Sequence, residues 1–184
     1  MRQRAMIAMA MANRPHLLIA DEPTTALDVT IQAQVLELLQ LAQKECGSAM
    51  ALITHNLGLV SELADRVTVM YAGRVVESGD VVTVFREPRH PYTLGLMACL
   101  PRNKADVKLV PIRGNPPSML NPPAGCGFRP RCDLHGGREA CRHAVPAMHD
   151  LGNGHRVACH FHDEMAAHCK AVEKSMGISL CPNG

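Results

Sequence analysis

Aromatic residues are scarce in this chain: 3 % of its 184 residues, with no tryptophan. Leu, Val, Ile, Met and Ala must therefore fill any core, and a hydrophobic content of 47 % is ample for that. No apolar run approaches the roughly 20 residues a membrane span needs. Arg2 and Arg4 stand near the start, but the following residues 5–12 carry no cleavage pattern of a secretory leader. A strong charge of either sign is lacking too. The net charge of +2 gives no electrostatic motive for nucleic acid or an anionic membrane as partner. The phosphate-loop pattern G-x-x-x-x-G-K-S/T does not occur, so no backbone nest or lysine of that kind cradles a phosphate. No internal repeat is visible. The eight cysteines form no C-x-x-C pair. Without a secretory leader they point to a reducing compartment, where metal or free thiols outweigh disulfides.

What is present centres on Leu17-Leu18-Ile19-Ala20-Asp21-Glu22-Pro23-Thr24-Thr25-Ala26-Leu27-Asp28. The apolar run, bounded by Pro15 and Pro23, reads as a buried parallel strand. Asp21 and Glu22 then fall at its carboxyl end, where open α/β sheets bind ligands. Adjacent carboxylates raise each other's pKa. A magnesium ion with a phosphate substrate would keep both ionised, one holding the metal and the other orienting a water. Two solvated acids at a strand end are the simpler alternative.

Residues 1–12 favour a helix that Asn13-Arg14-Pro15 ends. Ile31, Val35, Leu38, Leu39 and Ala42 share one face of a helix over 30–45, which Asp28 or Thr30 can cap and Gly47 can close. Met50–Thr54 is a second apolar strand. A strand–helix–strand crossover yields parallel neighbours, so His55 is expected at the same sheet edge as Asp21 and Glu22. Leu57–Ala64 reads as a short helix. Two strands over 66–71 and 73–79, joined at Ala72-Gly73, are followed by a short helix over 80–86. Beyond Glu87 a helix is possible over 94–99. Residues 101–123 hold six prolines and read as an extended tract with little regular structure.

These motifs resemble those of the ATP-binding-cassette (ABC) ATPases. Leu17–Glu22 looks like their Walker B strand and Thr25-Ala26-Leu27-Asp28 like their D-loop. His55 looks like their switch histidine, and Met1-Arg2-Gln3-Arg4 like the end of their signature motif. Arg74–Gly79, after Tyr71 and Gly73, also matches the end of that domain and is assigned a structural role. Arg89-His90-Pro91-Tyr92-Thr93 and the Pro122–Cys132 pattern sharpen the likeness to the ATPase subunits of oligopeptide and dipeptide importers. The implied fold is α/β. Residues 1–86 would be the C-terminal part of a P-loop NTPase-type ABC domain, a parallel sheet with flanking helices, and 87–184 a small irregular, Cys-rich extension.

The resemblance also implies roles. Glu22 would be the general base and His55 would contact the γ-phosphate. Asp21 would help hold Mg²⁺-ATP, Asp28 would lie at a dimer interface, and Arg2, Gln3 and Arg4 would close the signature. Cys126, Cys132, Cys141 and Cys159 are separated by five, eight and seventeen residues. Four thiolates can hold a [4Fe–4S] cluster or zinc; the resemblance favours the cluster, and free thiols are the third possibility. His160 and His162 are substitute ligands, and Phe128 is placed to cover one face of a cluster. Cys46 and Cys99 look like core or helix positions, Cys169 and Cys181 like tail.

Implied partners are a second ATPase subunit, two transmembrane permeases and an extracytoplasmic peptide-binding protein, with no nucleic acid. The implied location is the cytoplasmic face of the cell membrane. The missing phosphate loop and signature glycines lead to the expectation of a C-terminal part of a longer protein, inactive by itself. The alternatives are a non-catalytic interaction module with a structural metal site and a soluble ABC ATPase acting on nucleic acid. The near-neutral charge disfavours the latter.

Overall fold

In the computed structural model, which describes residues 2–25, 27–99, 111–134 and 137–176, the chain divides into two units, Met1–Asn56 and Leu57–Gly184. Both are mixed α/β. The first holds a parallel two-stranded sheet and the second an antiparallel one of four strands.

Unit one runs α1 (Arg2–Met11), β1 (Leu17–Asp21), α2 (Val29–Cys46) and β2 (Ala49–Ile53). The strands pair in parallel, with Leu17 opposite Ala49 and Asp21 opposite Ile53. Asp28 caps α2, its Oδ1 accepting from the Ile31 N–H at 2.9 Å. Gly47 closes the helix at φ +63°, a left-handed conformation that suits glycine. The core packs Leu18 and Ala20 of β1 against Val35 and Leu39 of α2, with Ile7 and Met11 of α1 alongside.

The expectation of a fully buried β1 needs correction. Burial alternates along it, and Leu17 and Ile19 remain 53 % and 63 % exposed. The reason is geometric: both helices contribute to the cluster on the Leu18–Ala20 face, and the alternate side chains point the other way.

Unit two begins with α3 (Leu57–Leu63), the hairpin β3 (Arg66–Tyr71) and β4 (Arg74–Asp80), and α4 (Val81–Arg86). Ala72 and Gly73 both have positive φ, 46° and 72°, as a tight hairpin turn requires. Then come α5 (Pro91–Ala98), α6 (Glu139–His143), β5 (His149–Asp150), β6 (Arg156–Val157) and α7 (Met165–Met176). The described part of the proline-rich tract, 111–123, forms neither helix nor strand.

Beyond it the chain is more regular than expected. β6 pairs antiparallel with β4, Glu77 opposite Val157, and β5 adds outside β6, giving the order β3-β4-β6-β5. Sheet hydrogen bonding therefore passes across the expected border at 86/87, and the extension completes the hairpin's sheet.

Glu77 is the polar centre of this arrangement. Its fully buried carboxylate accepts from the Arg89 N–H at 2.6 Å and the His90 N–H at 3.0 Å, and Oε1 pairs with His155 Nε2 at 2.9 Å. A buried carboxylate is costly unless its lone pairs are met; here they join β4 to the start of α5 and to the turn before β6. Its structural assignment in the sequence agrees with these bonds. Beside it, Tyr71, Tyr92 and Phe128 stack, Phe128 edge-on to Tyr71 at 5.1 Å.

Candidate functional site

At the carboxyl end of the parallel sheet the chain turns sharply after Asp21. Glu22 takes φ +43°, a left-handed conformation that costs an ordinary residue roughly 1–2 kcal/mol. Its N–H still donates to the Ile53 carbonyl at 2.9 Å, extending the β1–β2 pairing by one residue. This strained corner turns the Glu22 side chain toward the end of β2. There Oε1 meets His55 Nδ1 at 3.2 Å, and Oε2 accepts from the Thr25 hydroxyl at 2.8 Å.

Hydrogen bonds from Thr25 first, then from His55, hold the Glu22 carboxyl below its ordinary range. The crossover thus brings Glu22 and His55 together although 32 residues separate them. Asp21 is exposed next to them. Thr25 was not singled out in the sequence as a Glu22 partner; a hydroxyl three residues after an acid, across a proline turn, was the available signal.

The other predicted residues are elsewhere. Asp28 is occupied as the α2 cap. Arg4 donates from a guanidinium nitrogen to Gln34 Oε1 at 3.2 Å, linking α1 to α2. Arg2 and Gln3 open α1, and their side chains lie outside the described residues.

Unit two holds a second candidate site. Cys126, Cys132, Cys141 and Cys159 line one small, mainly apolar cavity, together with Phe161 and Phe128. The Cys126 N–H donates to the Cys141 carbonyl at 3.0 Å, which fixes two of the cysteine segments together. Gly125 makes that approach possible: a Cβ on it would fall 2.5 Å from the Cys141 carbonyl oxygen, at a φ of +73°.

Burial pushes the Cys159 thiol up to about 12, and burial also raises that of Cys141. None of the four is in a disulfide. Among the described residues no group of three or more His, Cys, Asp or Glu side chains converges on a site for a metal ion. The expected zinc or cluster is therefore not visible as a preformed set of ligands.

His160 lines the same cavity with its Nε2 bonded to the Ala144 carbonyl at 2.9 Å, and His162 stacks with His149. The expectation against disulfides also fails at one position, because Cys169 is disulfide-bonded. It is buried in an apolar cluster with Leu94, Ala98 and Met165. Cys181 lies outside the described residues. No helix among the described residues is long and apolar enough to cross a membrane.

Comparison with known proteins adds what this geometry lacks. Residues 76–141 match the family model described as "Oligopeptide/dipeptide transporter, C-terminal region". A protein of Brucella ovis provisionally named a peptide import ATP-binding protein is 53 % identical over 174 residues, covering 91 % of this chain and 51 % of the relative. The dipeptide transport ATP-binding protein DppD of Bacillus subtilis is 47 % identical over 169 residues, covering 91 % and 50 %. The oligopeptide transport ATP-binding protein OppD of Mycobacterium tuberculosis is 52 % identical over 160 residues, covering 86 % of this chain but 26 % of the relative. The chain thus spans about half, or less, of the length of the curated relatives it matches. With the strand–carboxylate edge and the cysteine cavity in place, residues 76–141 carry the C-terminal region of the oligopeptide/dipeptide transporter family, and the chain is similar over most of its length to ATP-binding subunits of peptide importers.

Proposed function

We propose that the Glu22–His55 edge is the hydrolytic half of an ATP site that powers peptide import. One observation carries the reading: the 3.2 Å contact between the two side chains at the carboxyl end of a parallel sheet. Glu22, kept ionised by Thr25 and His55, orients and polarises the attacking water. Its lowered pKa suits that role better than full proton abstraction, since phosphoryl transfer gains most from positioning and charge stabilisation. His55 fixes the Glu22 carboxylate and faces the transferred phosphate. Asp21 helps hold the magnesium that neutralises the phosphate charge.

ATP binding is part of each of the three relatives' names, which speaks against the non-catalytic alternative. In a complete transporter the partners would be a second ATPase subunit, two permeases and an extracytoplasmic peptide-binding protein, with this subunit on the cytoplasmic face. Residues 1–86 would belong to the ATPase domain and 87–184 to the importer-type extension.

By itself the 184-residue chain should show no magnesium-dependent ATP turnover. It contains no phosphate-loop sequence, and positioning of the phosphates supplies most of the acceleration. Fused behind the N-terminal half of the Brucella ovis relative, it should hydrolyse ATP. In that fusion Glu22→Gln should keep nucleotide binding and slow hydrolysis at least ~10²-fold, whereas Asp21→Asn should weaken the magnesium dependence. Equal, mild effects from both substitutions would show that the pair has been misassigned.

The cysteine cavity is read as the seat of a [4Fe–4S] cluster. Zinc needs its ligands gathered on one point, whereas a cluster takes its cysteines on separate irons around a larger body. Four thiols lining an apolar cavity suit the second arrangement better. Bound there, a cluster would supply one-electron chemistry and a covalent staple for a proline- and glycine-rich segment. Iron, sulfide and zinc analysis after anaerobic purification separates cluster, zinc and free thiols.

A further inference from the structure

Cys159 reaches the cavity from a different stretch of chain than Cys126, Cys132 and Cys141, and something must hold the two stretches in register. The contacts at Arg138 do so. Arg138 stands immediately before α6, the helix that carries Cys141. Its guanidinium lies 4.0 Å from the centroid of the Phe161 ring. Both its terminal nitrogens pair with Glu164, each at 2.7 Å. Phe161 follows Cys159 by two residues and itself lines the cysteine cavity. Glu164 closes the short 3-10 turn beyond it.

We propose that Arg138 is a positioning residue of the cysteine site: it clamps the Cys159 segment against the Cys141 helix and keeps a fixed positive charge beside the thiols. The proposal rests on the reading that the cavity holds a cluster. The chemistry of the guanidinium supports it. A planar guanidinium has one face for the ring and one edge for the carboxylate, so a single side chain fixes distance and angle together. The pairing with Glu164 raises the Arg138 pKa, which keeps the charge permanent. That charge stands at the start of the helix that carries Cys141. Removing it should disfavour the more negative, reduced state of a cluster and so lower the reduction potential.

The test uses the full chain with Arg138→Gln, Arg138→Lys and the swapped pair Arg138→Glu with Glu164→Arg. In metal-free protein, alkylation of each cysteine is followed by mass spectrometry, with Cys46 and Cys99 as internal references. Arg138→Gln should speed alkylation of the buried Cys159 about tenfold, and Arg138→Lys nearly as much, because lysine keeps charge but loses the fork. The swapped pair should restore protection. In reconstituted protein, Arg138→Gln should lower the midpoint potential while Arg138→Lys keeps it close to that of the unaltered chain.

Unchanged Cys159 alkylation in Arg138→Gln would overturn the clamp. Unchanged potential in that variant would overturn the electrostatic part. A global loss of structure would accelerate Cys46 and Cys99 as well, and the swapped pair then decides: restored protection supports the clamp, continued exposure overturns it. An unaltered chain that takes up no iron and sulfide sinks the cluster reading, while the alkylation series still decides the clamp.

Discussion

His90 is neutral because it is buried. Desolvation lowers its pKa to about 3, and its Nδ1 accepts from the Tyr92 N–H, capping α5. A neutral acceptor is what that cap requires, so burial and hydrogen bonding agree. The linkage has a definite sign. Above pH ~6.5 His90 is neutral in both folded and unfolded chain and costs nothing. Below it the unfolded chain takes up a proton that the native state refuses. Stability should therefore fall by roughly 1.4 kcal/mol per pH unit as pH drops toward the folded value of about 3. Urea unfolding between pH 7 and 4.5, followed by Tyr71 and Tyr92 emission in a chain without tryptophan, measures this slope. His90→Asn, which retains an acceptor for the cap, should flatten it. The histidine was visible in the sequence as part of a family-like run. Its protonation state was not, because that depends on burial by groups distant in sequence, such as the Phe128 ring.

Among the elements, α2 sets the spacing between the two strands that carry the carboxylates and the histidine. Asp28→Ala should cost unit one about 1 kcal/mol through loss of the cap to Ile31, and Asp28→Asn almost nothing. Thermal unfolding of the two variants checks this. A transporter defect in Asp28→Asn with unchanged stability would then belong to the interface role that the resemblance implies. In unit two, Gly125→Ala should be far harsher. Strain at φ +73° alone is of the order of 1–3 kcal/mol, and the added methyl would collide with the Cys141 and Arg142 backbone. The expected outcome is a chain that folds less stably and no longer protects Cys141 from alkylation. Equal protection would mean that the Cys126–Cys141 hydrogen bond does not shape the cavity. Most of these elements were legible: α2, the hairpin and the crossover follow from periodicity and turn residues. β5 and β6 were not, because two-residue strands carry no periodic signal: β6 exists by pairing with β4, and β5 by pairing with β6.

For the molecule as a whole, the exposed side of β1 and β2 is the feature with the clearest consequence. Leu17, Ile19 and Ile53 are each more than half exposed on adjacent paired strands, forming an apolar patch of the kind that binds hydrophobic dyes. The chain should bind such a dye in its native state, and the double change Ile19→Thr with Ile53→Thr should remove most of that signal without unfolding the α2 side. Undiminished binding would place the apolar surface elsewhere. What the sequence determined is local: a strand that runs into paired acids, a helix of correct length and cap, and a second strand that delivers a histidine. Such features follow from nearest-neighbour chemistry and the handedness of the crossover. Tertiary structure alone decided that Glu22 turns through a left-handed corner to reach Thr25 and His55. It also decided that both helices cover a single face of β1. Finally, it gathered four cysteines from a tract without regular spacing around one cavity. Those outcomes depend on which distant groups compete for the same space and the same hydrogen bonds, and no stretch of sequence carries that information by itself.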